Sequence, residues 1–425
     1  MSRLSDMLSS RGMRGMKLGL SAMREATLAL GGVEESFPAI HIAGTNGKGA
    51  LAAILDAALA ARGMKNVARY TSPHLVKIAE RFFIGGKCVS DEELESAAEE
   101  VFALKEAESL TYFETLTAVA FLLFARKKCP LAILECGLGG RLDATNVCRS
   151  VLSVITRVGL DHCDWLGDTI EKISAEKAGI IRAGVPVILG KNDDAVRAVV
   201  EARAKELGSP FFYAPDLADE SEIPRSFSLA GLFNRENAVT AIAALKVLER
   251  IGVIAKADNL TAGFSDVVWP GRFHRIGSVI VDGAHNPPAA KALAETLSSL
   301  NCGTEKLVLV SGFCGDKDAS EVLETLAPFV SRAIAVRIDN PRSMEASKTA
   351  ELMRRAGMEA FAAETLDAAL ALSGALELSR EKNSEKISVL ICGSLFLAGS
   401  ALCALGAMGY DSSAKIEPAE RLRPL

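Results

Sequence analysis

Short apolar runs alternate along this chain with longer stretches in which apolar residues recur at helical spacing. Each short run is apolar at successive positions, so it must be covered on both faces, and the alternation predicts an α/β fold on parallel sheets. The runs predict strands at 39–43, 66–70, 131–135, 151–158 and 185–189, and then at 276–282, 306–311, 333–338 and 387–392. Helical periodicity predicts helices from Ala50 to about Arg62, over 91–107 with Ser90 as N-cap, and over 113–124, 169–181, 193–207 and 238–248. Residues 3–32 read as amphipathic helical material, and residues 211–227, with Pro210, Pro215 and Pro224 in or beside them, as irregular. At Trp269-Pro270-Gly271-Arg272 all periodicity breaks just before a new strand, which divides the chain into domains of 1–270 and 271–425.

The ends of the predicted strands carry the chemistry. The strand holding Ile40 and Ile42 runs into Gly44-Thr45-Asn46-Gly47-Lys48-Gly49 and then a helix. In that order, glycines let backbone N–H groups converge on an anion, the helix presents its positive N-terminus, and Lys48 reaches terminal phosphates. The generic nucleotide pattern is not met, because Ile42 stands for its first glycine and Gly49 for its Ser/Thr, so a plain glycine-rich turn with a surface lysine is the competing reading.

Further strand ends repeat the theme. Thr71-Ser72-Pro73-His74 is either a simple turn or a polar loop at the sheet's carboxyl edge, and Leu131-Ala132-Ile133-Leu134-Glu135 ends in a carboxylate placed to hold Mg²⁺. Gly137, Gly139 and Gly140, followed by Asp143, Thr145 and Asn146, indicate close backbone approach to a ligand. The 151–158 strand is expected to end at Gly159-Leu160-Asp161-His162, where His162 is read as a metal or phosphate contact. Lys177, in Glu176-Lys177-Ala178-Gly179, reads from its surroundings as a solvated helix residue. The second half offers Asp282-Gly283-Ala284-His285-Asn286-Pro287 at a strand end and Lys317 in the loop from Gly312 to Asp318. Two such domains with facing strand ends suggest a closing cleft.

Composition narrows the classes. Over 425 residues, 49% hydrophobic and 24% charged residues describe an ordinary soluble enzyme with more than one core. A net charge of −5 gives no basic footprint for nucleic acid. Nine cysteines stand singly with no CxxC pair, which fits a reducing cytoplasm. No uninterrupted apolar stretch near Met1 reads as a signal peptide. The uncharged segment Val389 to Tyr410 is broken by Gly393, Ser394, Gly399 and Ser400 into strand, turn and helix, so it is read as core rather than a membrane span.

Taken together, these motifs resemble the folylpolyglutamate synthase/dihydrofolate synthase family within the Mur ligases. The resemblance rests on His41 to Gly49, Thr71 to Leu75, Phe113-Glu114 with Leu116 to Ala118, Glu135 to Gly140 and Asp143 to Asn146. It continues through Leu160 to His162, Glu176 to Ile180, Pro270 to Arg272 and Asp282 to Pro287, nearly the whole chain. It implies a two-domain α/β fold: an N-terminal P-loop-type parallel-sheet domain and a smaller, Rossmann-like C-terminal one. It also implies that Gly44, Thr45, Asn46, Gly47, Lys48 and Gly49 hold ATP phosphates, and that Ser72, Glu135, His162 and a carbamylated Lys177 hold two Mg²⁺. Asn237, Arg272 and Asp282 would contact ATP across the domain interface, Phe113 and Asp143 would lie by the pteridine-bearing substrate, and His285 and Ser394 would take the incoming glutamate. Three departures stand out: Ala50 in place of a serine, Phe233 and Asn234 in place of His-Gln, and His274 where the family is often acidic or amide-bearing.

The implied reaction activates a carboxylate of dihydropteroate or reduced folate with ATP and transfers the acyl group to the amine of L-glutamate, in a cytoplasmic monomer with no nucleic-acid or membrane partner. Lys48, Glu135, His162 and Lys177 would be its catalytic residues. A monofunctional folate-extending enzyme or a related Mur-type ligase fits the same motifs. So does, from another class, a nucleotide-binding regulatory protein that has lost catalysis, with Ala50 and Phe233 as its marks.

Overall fold

In the computed structural model, which describes residues 3–12, 19–300, 307–315, 318–381 and 386–406, the apolar runs become strands of two sheets. The first sheet comprises β1 (Ala39–Ala43), β2 (Ala68–Tyr70), β3 (Phe82–Ile84), β4 (Lys87–Cys88), β5 (Ala132–Glu135), β6 (Ser150–Ile155), β7 (Val187–Leu189) and β8 (Phe211–Tyr213). The second comprises β9 (His274–Ile276), β10 (Val279–Val281), β11 (Leu307–Ser311), β12 (Val330–Ala335), β13 (Glu359–Ala362) and β14 (Val389–Cys392). The chain divides accordingly into two compact units, one of 1–228 with 234–268, the other of 229–233 with 269–416; residues 417–425 of the first and 407–416 of the second lie outside the described set.

The first sheet runs in the order β4-β3-β2-β5-β1-β6-β7-β8. From β2 to β8 every pairing is parallel, and β3 and β4 add an antiparallel edge. β1 is buried along its whole length because helices cover both faces of the sheet: Ile40, Ile42 and the strands beside it have no exposed apolar edge. On one side the aromatic rings of Phe37, Phe121 and Phe124 meet edge to face at 5.6 and 5.7 Å, anchoring the helix Tyr112–Arg126. On the same face, towards β7, Ile155, Ile173, Val187 and Val200 form a second apolar cluster. The second unit repeats the design, with the order β13-β12-β11-β14-β10-β9, parallel except for β9, around Ile280, Leu309, Phe313 and Leu390.

Several expectations from the pattern need correction. β6 stops at Ile155 rather than 158, because residues 156–159 leave the sheet to bond the phosphate-type loop instead. Residues 211–213 are a strand, made by pairing with β7. β13 and the hairpin partner β9 carry no run long enough to see in the sequence. The helix expected from Ala50 begins at Lys48, and the one expected from Ala238 begins at Leu232. The uncharged 389–410 segment is β14, a turn and the helix Leu395–Ala404, with 407–410 outside the described residues; no described helix is long and apolar enough to cross a membrane. Lys317 also lies outside the described residues.

Candidate functional site

The loop leaving β1 is held open by its neighbours. Thr45 and Asn46 donate their N–H groups to the Arg157 carbonyl at 2.8 and 3.4 Å, Thr156 donates its hydroxyl to the Asn46 carbonyl at 2.8 Å, and the Thr45 hydroxyl bonds both N–H and C=O of Gly159 at 3.0 Å. Gly47, at φ 90°, turns the chain into the helix Lys48–Ala61, and a Cβ there would lie 2.5 Å from the Asn237 side-chain oxygen. Asn237 thus packs directly on the loop, from the helix Leu232–Arg250. Ala50 is buried in the first turn of the loop's helix.

Lys48 folds back over this loop, donating from Nζ to the carbonyls of Gly44 at 3.1 Å and Thr45 at 3.2 Å. Lys177 reaches the same place from the end of the helix Ile170–Ala178 and donates to the Gly44 carbonyl at 2.9 Å. It is 3% exposed, so the reading of a solvated helix residue is wrong: the helix packs its last turn under the loop. Burial, and after it the neighbouring Lys48 charge, push the Lys177 ammonium down to about 7. Two lysines converging on backbone carbonyls at a helix N-terminus fit an anionic ligand, and a neutral amine at Lys177 fits carbamate formation.

Glu135 projects from the end of β5, 4% exposed, and its Oε2 accepts the backbone N–H of Ser72 at 3.0 Å. The loop 71–74 is more than a simple turn, since His74 is buried and its Nδ1 accepts from Arg81 Nε at 2.9 Å. His162 does not end a strand. It sits at φ 53° as the cap of the short helix Cys163–Leu166, its N–H bonded to Asp161 Oδ1 at 2.9 Å. Of the expected metal set the structure therefore joins Ser72 to Glu135 directly, and ties the His162 loop to the phosphate-type loop through Thr45 and Gly159. Among the described residues, no three His, Cys, Asp or Glu side chains converge as a metal-binding group.

Phe113 and Asp143 come together around the glycines after β5. Thr111 and Glu114 cap the helix reciprocally, at 2.8 and 3.4 Å, which sets Phe113 in its first turn. A Cβ on Gly137 would lie 2.6 Å from the Phe113 ring, so ring and backbone are in face contact. Asp143 accepts from Leu138 N–H at 2.8 Å and Thr145 N–H at 3.0 Å; burial raises its pKa, against those bonds.

The second unit collects its own set. Asp282, at the end of β10, accepts from Phe273 N–H at 2.6 Å and Ala284 N–H at 2.7 Å; burial raises its pKa and the Arg272 charge opposes this. His285 lies 2.7 Å from the Gly283 carbonyl, which can only accept, so the proton is on Nδ1. Ser394 caps the helix Leu395–Ala404 through Phe396 N–H at 3.1 Å, and Gly393 N–H bonds the Ala284 carbonyl at 2.8 Å, joining the Asp282 and Ser394 turns. Phe233 packs on this unit's core, while Asn234 is buried in the first unit. His274, on β9, has its pKa lowered by burial.

Sequence reasoning gave no role to His41, Thr145, Thr156 or Asp161. Thr156 had a signal, being a polar residue in a loop taken for strand, and Asp161 stood beside His162 in the turn after it; His41 had only its place ahead of the glycines.

Comparison with known proteins agrees with this layout. Residues 271–395 match the family model of the Mur ligase glutamate ligase domain. The chain is 33% identical over 359 residues to the dihydrofolate synthase/folylpolyglutamate synthase of Bacillus subtilis, across 77% of this chain and 83% of that one. Among solved structures it resembles Mycobacterium tuberculosis folylpolyglutamate synthase complexed with ADP, with a TM-score of 0.82 and 30% identity over 95% of this chain and 98% of that one. It also resembles the bifunctional folylpolyglutamate synthase/dihydrofolate synthase of Yersinia pestis complexed with AMPPNP and Mn ion, with a TM-score of 0.80 and 29% identity over 95% and 96%.

Proposed function

The chain belongs to the dihydrofolate synthase/folylpolyglutamate synthase family of Mur-type, ATP-dependent amide-forming ligases, and we propose that it adds L-glutamate both to dihydropteroate and to reduced folates. It uses ATP with a divalent metal ion, taken here as Mg²⁺ at two sites. The observation that carries the reading of the site is the convergence of Lys48 and Lys177 on the Gly44 carbonyl.

A carboxylate is a poor acyl donor in water. Its oxygen attacks the γ-phosphorus, the bond to ADP breaks, and the amine of glutamate then displaces phosphate from the acyl carbon, losing a proton to form the amide. Lys48 and the backbone of Gly44, Thr45, Asn46, Gly47 and Gly49 hold the phosphates and offset their charge. Asn237, Arg272 and Asp282 hold the rest of the nucleotide. Phe113 lays the pteridine-bearing substrate against its ring and Asp143 takes that substrate's hydrogen-bond donors. His285 and Ser394 orient the glutamate, and residues 1–270 and 271–425 divide these tasks.

The neutral Lys177 amine adds to carbon dioxide, forming an N-carboxylate and releasing one proton. The product is an anion beside Lys48, and with Ser72, Glu135 and His162 it would hold Mg²⁺, which when bound neutralises phosphate charge. We place this activity in the cytoplasm, in a monomer.

The test is glutamate-dependent phosphate release from MgATP with dihydropteroate and with tetrahydrofolate, products identified by mass. Turnover with both establishes the two activities; turnover with tetrahydrofolate alone leaves a chain-extending enzyme. Silence with both, with ATP still bound in a titration, would sink the proposal in favour of a regulatory protein.

A further inference from the structure

Behind the loop that carries Asp143 runs a buried chain of hydrogen bonds that none of these steps uses. Asp143 Oδ1, besides the Thr145 N–H, accepts the Thr145 hydroxyl at 2.5 Å. An ionised carboxylate only accepts, so the Thr145 proton is committed to it and the Thr145 oxygen must accept in turn. Two groups face that oxygen, His41 Nε2 at 2.8 Å and the Cys136 thiol at 3.7 Å; the imidazole is the nearer and the stronger donor, so Nε2 carries the proton. Cys136 Sγ lies 3.1 Å from the same nitrogen.

His41 sits on β1 opposite Leu134 and Ser153, wholly buried, three positions ahead of Gly44. Burial and the Arg182 charge hold its pKa down at about 3, so the ring is neutral at any working pH. Its Nδ1 is buried with no hydrogen-bond partner. An aliphatic residue, as at Ile40 and Ile42, would fill this central strand with no such orphan. What the imidazole adds in return is one fixed N–H aimed at Thr145.

We propose that His41, through Thr145, is a positioning residue for Asp143: it holds the Thr145 hydroxyl with its proton towards the carboxylate and so fixes the edge that Asp143 offers to the acyl substrate. The inference rests on the reading of Asp143 as a contact for that substrate. It links the strand that launches the phosphate loop to the loop that takes the pteridine end, through residues 104 apart in the sequence.

Steady-state kinetics of the full chain, with KM for reduced folate and for ATP measured separately, test it. Thr145→Val keeps the branched shape and removes the hydroxyl. It should raise the folate KM about tenfold and move the ATP KM less than about twofold, while Thr145→Ser stays near wild type. His41→Gln, whose amide nitrogen reaches the place of Nε2, should retain most of the folate affinity. His41→Asn, which reaches only the place of Nδ1, should behave as Thr145→Val. In an Asp143→Asn background Thr145→Val should add nothing further. Should Asp143→Asn alone leave the folate KM unchanged, the role of Asp143 fails and takes the inference with it. Should Asp143→Asn raise it while Thr145→Val and His41→Asn do not, Asp143 stands and the His41 chain is overturned. Equal rises in both KM values, or Gln as impaired as Asn at position 41, would equally overturn it in favour of packing.

Discussion

The ammonium groups of Lys48 and Lys177 donate to one acceptor, the carbonyl oxygen of Gly44, at 3.1 and 2.9 Å. Like charges so placed repel, and part of the lowered Lys177 pKa is that repulsion. A phosphate set between them relieves it, and so does conversion of Lys177 itself to a carbamate, so the pair favours either change.

Removing one member tests the phosphate side. Lys48→Ala is expected to cut turnover about a thousandfold, as loss of a principal charge on a transferring phosphoryl group does, with the fold unchanged by circular dichroism. Near-normal phosphate release would defeat the assignment of the loop.

Lys177→Ala should be equally inactive in phosphate release, with partial return on adding formate or acetate, which supplies the missing carboxylate. Wild-type enzyme stripped of carbon dioxide should lose activity and regain it with bicarbonate, and ¹³C-labelled bicarbonate should give a carbamate resonance absent from Lys177→Ala. Full unassisted activity of the variant would reject the carbamate.

The same lysine shapes stability against pH. Its folded pKa is about 7, against 10.5 in the unfolded chain. Between those values the unfolded state binds a proton that the folded state does not, so carbamate-free protein gains stability as pH rises through that window and loses it as pH falls back towards 7. Lys177→Met should therefore melt higher than wild type at neutral pH, with the difference shrinking as pH approaches 10. Parallel melting curves across that range would show that Lys177 is not desolvated.

Gly47→Ala places a Cβ at φ 90°, 2.5 Å from the Asn237 side-chain oxygen. The loop must shift to admit it, and nucleotide affinity by calorimetry should fall at least about tenfold, with folate affinity unchanged. ATP binding at wild-type strength would mean that the loop's shape does not set the phosphate site.

What the sequence made legible was local. Ser90 caps the helix Asp91–Ala103, as its place ahead of that helix predicted, and Glu135 and Asp282 end strands whose apolar runs are unbroken. What it hid depends on partners far along the chain. Lys177 is the next-to-last residue of a polar-looking helix, and only the packing of that helix under Gly44 buries it. β8 is three residues whose strand character comes from pairing with β7, and β13 is an edge strand with a single buried residue, so neither has the pattern of a covered strand. Residues 156–159 look like more strand because Val158 is apolar, yet their hydrogen bonds go to Thr45 and Asn46. His41 looks like any polar interruption of a strand until Thr145 is seen beside it.

The strand order also sets a timetable for synthesis. β1 has its two neighbours in β5 and β6, and the Lys177 that completes its loop comes later still. Residues 39–49 emerge from the ribosome early but can find neither flanking strand until about a hundred more have followed. The Val- and Ile-poor helix Lys48–Ala61, rich in alanine and leucine, can coil as soon as it is made, whereas the turn before it must wait. A truncated chain released before residue 177 would thus carry the whole glycine loop without Lys177, and one released before residue 237 would lack the Asn237 that packs on it, which makes nucleotide binding a marker of a nearly finished first unit.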